Sequence, residues 1–196
     1  MSPHPSAQIE QLKEERRQAL LSAAREMFAR KGFSATKISD IAAQAGLSHG
    51  LVHHYFPSKE ALFTSVLEAT VQRWEALLAR VRQHPGSPWE RLVYLCTRMI
   101  EGLHEEPEYL LVLVWASKDS APLPARAALK RFERQFHEPL ARLIEEGQGS
   151  GAVAAGPPLE LARAWIALTQ GLAISGAMNP DMKLPPIELL LRLLRA

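Results

Sequence analysis

The chain has 196 residues, of which 47% are hydrophobic and 22% charged, and a formal net charge of +2. That length supports one good core plus a small appended unit and excludes several independent domains, while the composition excludes a disordered or fibrous protein. The single cysteine, Cys96, excludes an intrachain disulfide framework, and there is neither an apolar leader nor a run of the ~18 apolar residues that a membrane span needs, so a cytoplasmic protein is expected.

Residues 1–9, with Pro3 and Pro5, read as a flexible arm. From Ile9 apolar residues recur at helical spacing to Arg30, with Leu20, Ala24, Met27 and Phe28 on the inner face, and Gly32 suits the stop. Thr36 is placed to cap a short helix that buries Ile38, Ile41, Ala42 and Ala45. Gly46 then supplies a tight turn, Ser48 can cap a second short helix, and Pro57 ends it. Ser58 and Glu60 open a longer helix to about Arg82. Helices follow near Trp89–His104, from Pro107 through the apolar run Tyr109–Trp115, over Ala125–Gln148, over Leu159–Met178, and near Pro186–Leu194. Period-2 alternation is absent throughout, so the class is all-α.

Two short helices joined by a glycine turn, with a longer helix before them, form a helix-turn-helix whose second short helix can enter the DNA major groove. With Leu51, Val52 and Phe56 committed to packing, that helix exposes Ser48, His49, Gly50, His53 and His54, and the Tyr55 hydroxyl lies at the edge. These are short-reach donors and acceptors for base edges and phosphates, and Gly50 permits close backbone approach. Lys37 and Lys59 flank the unit as phosphate-neutralising charges. Up to residue 60 eight Lys and Arg face six acids, so this stretch carries the whole +2 excess, and the remaining fifteen bases are matched by fifteen acids. His49 and His53 stand four residues apart, a spacing that can chelate a metal, but no third ligand follows, so no metal or other cofactor is expected.

Residues 24–63, AREMFARKGFSATKISDIAAQAGLSHGLVHHYFPSKEALF, resemble the tetracycline-repressor (TetR) family of bacterial regulators. Phe28, Gly32, Thr36, Asp40–Ala42, Gly46, Ser48, Gly50, Tyr55–Phe56 and Lys59–Leu62 stand where that pattern expects them. The resemblance implies a three-helix DNA-binding domain over residues 10–56 and a larger helical effector-binding and dimerisation domain over residues 57–196. It carries DNA contacts to Thr36, Lys37, Ser39, Ser48, His49, Gly50, His53, His54, Tyr55 and Lys59. His49 and His53 replace the family's frequent Lys and Tyr, which makes phosphate grip at neutral pH weaker and more pH-sensitive.

The second domain has about six helices where a dimer scaffold needs two, and the surplus suggests a sensor. Met99, Tyr109, Val112, Trp115, Phe132 and Trp165 could line a cavity for a hydrophobic small molecule or could fill it, with His104 and Gln170 as orienting polar groups. As in relatives, the dimer surface is expected on the helices near Ala125–Gln148 and Leu159–Met178. Candidates there are Phe136, Leu140 and Leu143, and the stripe Ala164, Leu168, Gly171, Leu172 and Ser175, whose small residues permit close helix approach. The expected function is a ligand-responsive regulator, a repressor by family analogy, that binds a palindromic DNA operator as a homodimer and is released by a hydrophobic effector. The alternative is a ligand-binding or scaffolding helical dimer without specific DNA binding. Signatures of catalysis (G-x-S-x-G, H-E-x-x-H, a phosphate loop, a dinucleotide fingerprint) are missing, so no enzyme is expected.

Overall fold

The structure is a computed structural model that describes residues 5–179 and 181–196. The described residues form helices α1 (Pro5–Ala35), α2 (Ile38–Gln44), α3 (His49–Tyr55), α4 (Lys59–Gln83), α5 (Pro88–Glu105), α6 (Glu108–Ala116), α7 (Leu123–Gly149), α8 (Pro158–Met178) and α9 (Ile187–Leu191). The only β pairing among them is an isolated bridge between Val153 and Arg195. No helix among them is long and apolar enough to cross a membrane. Of the arm expected over residues 1–9, residues 1–4 lie outside the described part, and the rest is already helical from Pro5. A proline suits a first helical turn, where its missing N–H has no intrahelical partner to lose.

Boundaries follow local chemistry. Ser48, Ser58 and Ser87 each accept a hydrogen bond from a backbone N–H three residues on, and Ser87 with Glu90 completes a capping box before Pro88. Thr36 does not cap α2. The cap position falls on the extended Lys37, and the Thr36 hydroxyl instead donates to the carbonyls of Gly32 (2.7 Å) and Met27 (3.2 Å), where it is buried. Chain direction explains this, because Thr36 closes the end of α1 before the backbone turns into α2.

α1, α2, α3 and the start of α4 enclose Leu20, Ala24, Phe28, Ile41, Val52 and Phe63. Phe63 meets Phe28 edge-on with centroids 4.9 Å apart and Phe33 at 5.4 Å, which ties α4 to α1. The larger half packs α4 to α8 around α7, whose buried stripe includes Leu129, Phe132, Phe136, Leu140 and Leu143. Three of the residues expected at a dimer surface, Phe136, Leu140 and Leu143, are therefore core of the same protomer, at 7% exposure or less. The stripe was legible in the sequence, but its side of the interface was not, since an apolar helix face looks the same whichever partner covers it.

Cys96 is fully buried, and burial pushes its thiol well above the usual range by disfavouring the thiolate. The native chain should fail to react with a thiol reagent such as 5,5′-dithiobis(2-nitrobenzoate) near neutral pH and release one equivalent when denatured. Rapid native reaction would contradict this packing.

Candidate nucleic-acid interface

α2 ends at Gln44 with Ala45 as its cap, and Gly46, with φ of 65°, turns the chain so that the Leu47 N–H donates to the Ala42 carbonyl at 2.9 Å. Ser48 then starts α3 by accepting from the Leu51 N–H at 3.3 Å. Val52 and Phe56 face the core, which fixes the rotation of the seven-residue helix. At about 100° per residue, His49 and His53 then share one outward line and Gly50 and His54 the adjacent one. All four are exposed, as are Lys37, Ser39 and Ser48, while Tyr55 is half-buried.

The His49 and His53 rings lie 4.8 Å apart, and His54 meets Tyr55 edge-on at 5.4 Å. Among the described residues no group of three or more His, Cys, Asp or Glu could hold a metal ion. A surface of imidazoles, hydroxyls and bare backbone, standing clear of the body on a helix whose other face is locked into a core, has the dimensions and hydrogen-bonding chemistry of a major-groove reader. Ser48→Ala should leave this surface intact but loosen α3, costing about 1 kcal/mol by denaturant unfolding. Unchanged stability would mean that the cap does not hold the helix.

Two residues expected to meet DNA are occupied elsewhere. The Thr36 hydroxyl points inward, as described above. Lys59 donates to the carbonyls of Phe33 (3.0 Å) and Thr36 (3.1 Å) and lies over the Phe33 ring at 4.4 Å. It satisfies the C-terminal end of α1, a favourable place for a cation.

The larger half contains two adjoining cavities. One of about 450 Å³ lies between α4, α5 and the start of α6 and is lined by Leu77, Leu103 and Tyr109, with Arg73, Arg80, Arg98, Glu101, Glu105 and Glu106 among its charged residues. The other, of about 150 Å³, lies among α4, α6, α7 and α8 and is lined by Leu129, Phe132, Phe136, Ile166, His137 and Gln170. Trp74, Met99 and Leu110 line both. Burial holds His137 below the ordinary imidazole range and so favours its neutral form.

Of the expected pocket residues, Met99, Tyr109, Phe132 and Gln170 line these cavities. Val112 and Trp165 do not, being fully packed in the core. Trp115 donates its indole N–H to the Ala29 carbonyl at 2.9 Å and so joins α6 to α1. His104 is exposed and borders a separate depression near Leu172. Sequence reasoning missed the arginines and glutamates of the wider cavity because charged residues at helical spacing read as a solvated face. On α8, Ala164, Gly171 and Ser175 are exposed and Leu168 and Leu172 half-buried, so that stripe faces outward.

Residues 20–66 match the family model described as "Bacterial regulatory proteins, tetR family". The chain is 27% identical over 168 residues to the uncharacterized HTH-type transcriptional regulator YfiR of Bacillus subtilis, covering 82% of this chain and 79% of that protein. It is 26% identical over 137 residues to the HTH-type transcriptional repressor KstR2 of Mycolicibacterium smegmatis, covering 70% and 67%. The fold is shared with AibR, whose structure was determined with isovaleryl coenzyme A and operator DNA, at a TM-score of 0.75 and 19% identity over 89% of this chain and 93% of AibR.

Proposed function

We propose that this chain, whose N-terminal unit matches the tetR family of bacterial regulatory proteins, is a member of that family and a ligand-responsive transcriptional repressor acting on DNA in the cytoplasm. The observation that carries the reading is the exposed face of α3, His49, Gly50, His53 and His54, set on a helix whose opposite side is fixed by Val52 and Phe56. In this reading residues 10–56 bind DNA and residues 57–196 bind the effector and a second protomer. Ser39, Ser48 and Tyr55 border the contact face, and Lys37 is the exposed cation beside it. Thr36 and Lys59 act indirectly, by fixing the end of α1 against α2 and α4.

The outward stripe of α8 is the proposed seam between two protomers. Its exposed Ala164 and Gly171 let helices approach closely. Light scattering at micromolar concentration should give a mass of two chains, and a monomer would refute the seam. The two adjoining cavities, with a charged side in the wider and an apolar, aromatic lining in the narrower, suit a small effector with a hydrophobic body. That KstR2 is named a repressor and that AibR holds an acyl coenzyme A together with operator DNA support this reading by analogy.

Titration of the full chain against a random-sequence DNA duplex tests the DNA-binding half of the proposal. Log affinity should fall linearly with log salt, by a slope of about −0.9 for each phosphate neutralised. Absence of binding even at low salt would favour a helical scaffold over a regulator.

A further inference from the structure

Among the described residues, Tyr109 is the one that borders both the wider cavity and a smaller hollow against α1, lined by Gln18, Ser22 and Arg25. Two guanidinium groups from different halves of the molecule lie close to its ring. Arg25 of α1 is 4.1 Å from the centroid and Arg73 of α4 is 4.4 Å. Arg25 also donates to the Tyr109 hydroxyl at 2.7 Å, across 84 residues of sequence, while Arg73 is ion-paired with Glu106 beside the start of α6. Arg73 and Glu106 also line the wider cavity.

We infer that Tyr109 is the positioning residue through which the contents of the wider cavity reach the DNA-binding unit, by making or releasing its hold on Arg25. The inference rests on reading that cavity as the effector site. A molecule occupying it competes for the face and edge of Tyr109 and for the Arg73–Glu106 pair. Those contacts are partly exposed, so each is weak enough to exchange for a ligand contact. Displacing the ring removes the hydrogen bond to Arg25 and one of the cations stacked on it, and α1 loses a link that sets its angle against α6. The Trp115 bond to the Ala29 carbonyl, one helical turn further along α1, remains as the fulcrum. Two sites are coupled only through a difference in affinity between states, and the coupling is reciprocal. DNA binding must therefore change affinity at the cavity.

The test uses the full chain, a duplex recovered by selection from a random pool, and the amphipathic anion 1-anilinonaphthalene-8-sulfonate as cavity probe. In the wild type, saturating duplex should weaken dye binding at least about fivefold. Tyr109→Phe keeps the ring and loses the hydroxyl, and Arg25→Lys keeps the charge and loses the planar fork. Each should cut that linkage ratio at least threefold, whatever it does to either affinity alone. A wild-type linkage that survives unchanged in both Tyr109→Phe and Arg25→Lys overturns this inference alone. Failure to recover any duplex, dye affinity indifferent to it in the wild type, or dye binding undiminished in Met99→Trp, which fills space at a residue lining both cavities, overturns the effector reading and this inference with it.

Discussion

Gly32→Ala is expected to destabilise the chain by roughly 2–5 kcal/mol, combining a backbone conformation that only glycine adopts cheaply with an overpacked contact. Gly32 has φ of 74° and ψ of 176° within α1, and a Cβ there would meet the Trp115 ring at 2.8 Å. Neither cost relaxes easily, because Trp115 is pinned by its indole bond to the Ala29 carbonyl and the Gly32 carbonyl receives the Thr36 hydroxyl. Against a typical total of about 5–15 kcal/mol this is a large fraction, and at 2–4 °C per kcal/mol for a chain this size the melting temperature should drop by about 4–20 °C. The double variant Gly32→Ala, Trp115→Leu should recover part of the loss by removing the clash but not the strain. A single variant as stable as the wild type would mean that α1 passes position 32 in another conformation.

The largest expected effect on function without loss of fold is at Gly50. A Cβ there meets nothing within 4 Å, and the residue is exposed in the first turn of α3. Gly50→Glu therefore should leave stability unchanged or raise it by up to ~1 kcal/mol, since glycine is a poor helix former and an acid suits a helix N-terminus. On DNA the same side chain would stand in the narrow space between α3 and the duplex and set a carboxylate against phosphates. Like charges so placed cost several kcal/mol, and affinity should fall at least about 100-fold. Gly50→Ala should fall between the two. Equal operator affinity for Gly50→Glu and the wild type would place DNA recognition away from α3.

Legibility in the sequence tracked the range of the interactions. Ser48, Ser58 and Ser87 act within one helical turn, and the helices they start begin within a residue or two of their expected positions. The outward set on α3 followed once Val52 and Phe56 were assigned inward, because seven helical residues leave no other rotation. Thr36 was misread because a hydroxyl between two helices can serve the end of the one behind as well as the start of the one ahead, and Lys59 because its partners, the carbonyls of Phe33 and Thr36, lie more than twenty residues back and leave no periodic trace. The same holds for Arg25 with Tyr109 and for Trp115 with Ala29, separated by 84 and 86 residues. In the larger half, hydrophobic spacing told which face of α7 is apolar but not that it is buried within its own protomer. The charged side of the wider cavity escaped notice because charged residues at helical spacing resemble an ordinary solvated surface, although Met99 and Tyr109 of its lining were expected.

The central claim is that paired α3 helices read a specific DNA sequence. Its most direct test is selection of duplexes from a random pool by the purified full chain at moderate salt, followed by sequencing. A two-fold arrangement of related half-sites, with centres one helical turn (about 34–36 Å) or a multiple of it apart, should be enriched, and Gly50→Glu should abolish the enrichment. A pool that remains random after repeated rounds, or enrichment that persists in Gly50→Glu, would contradict it.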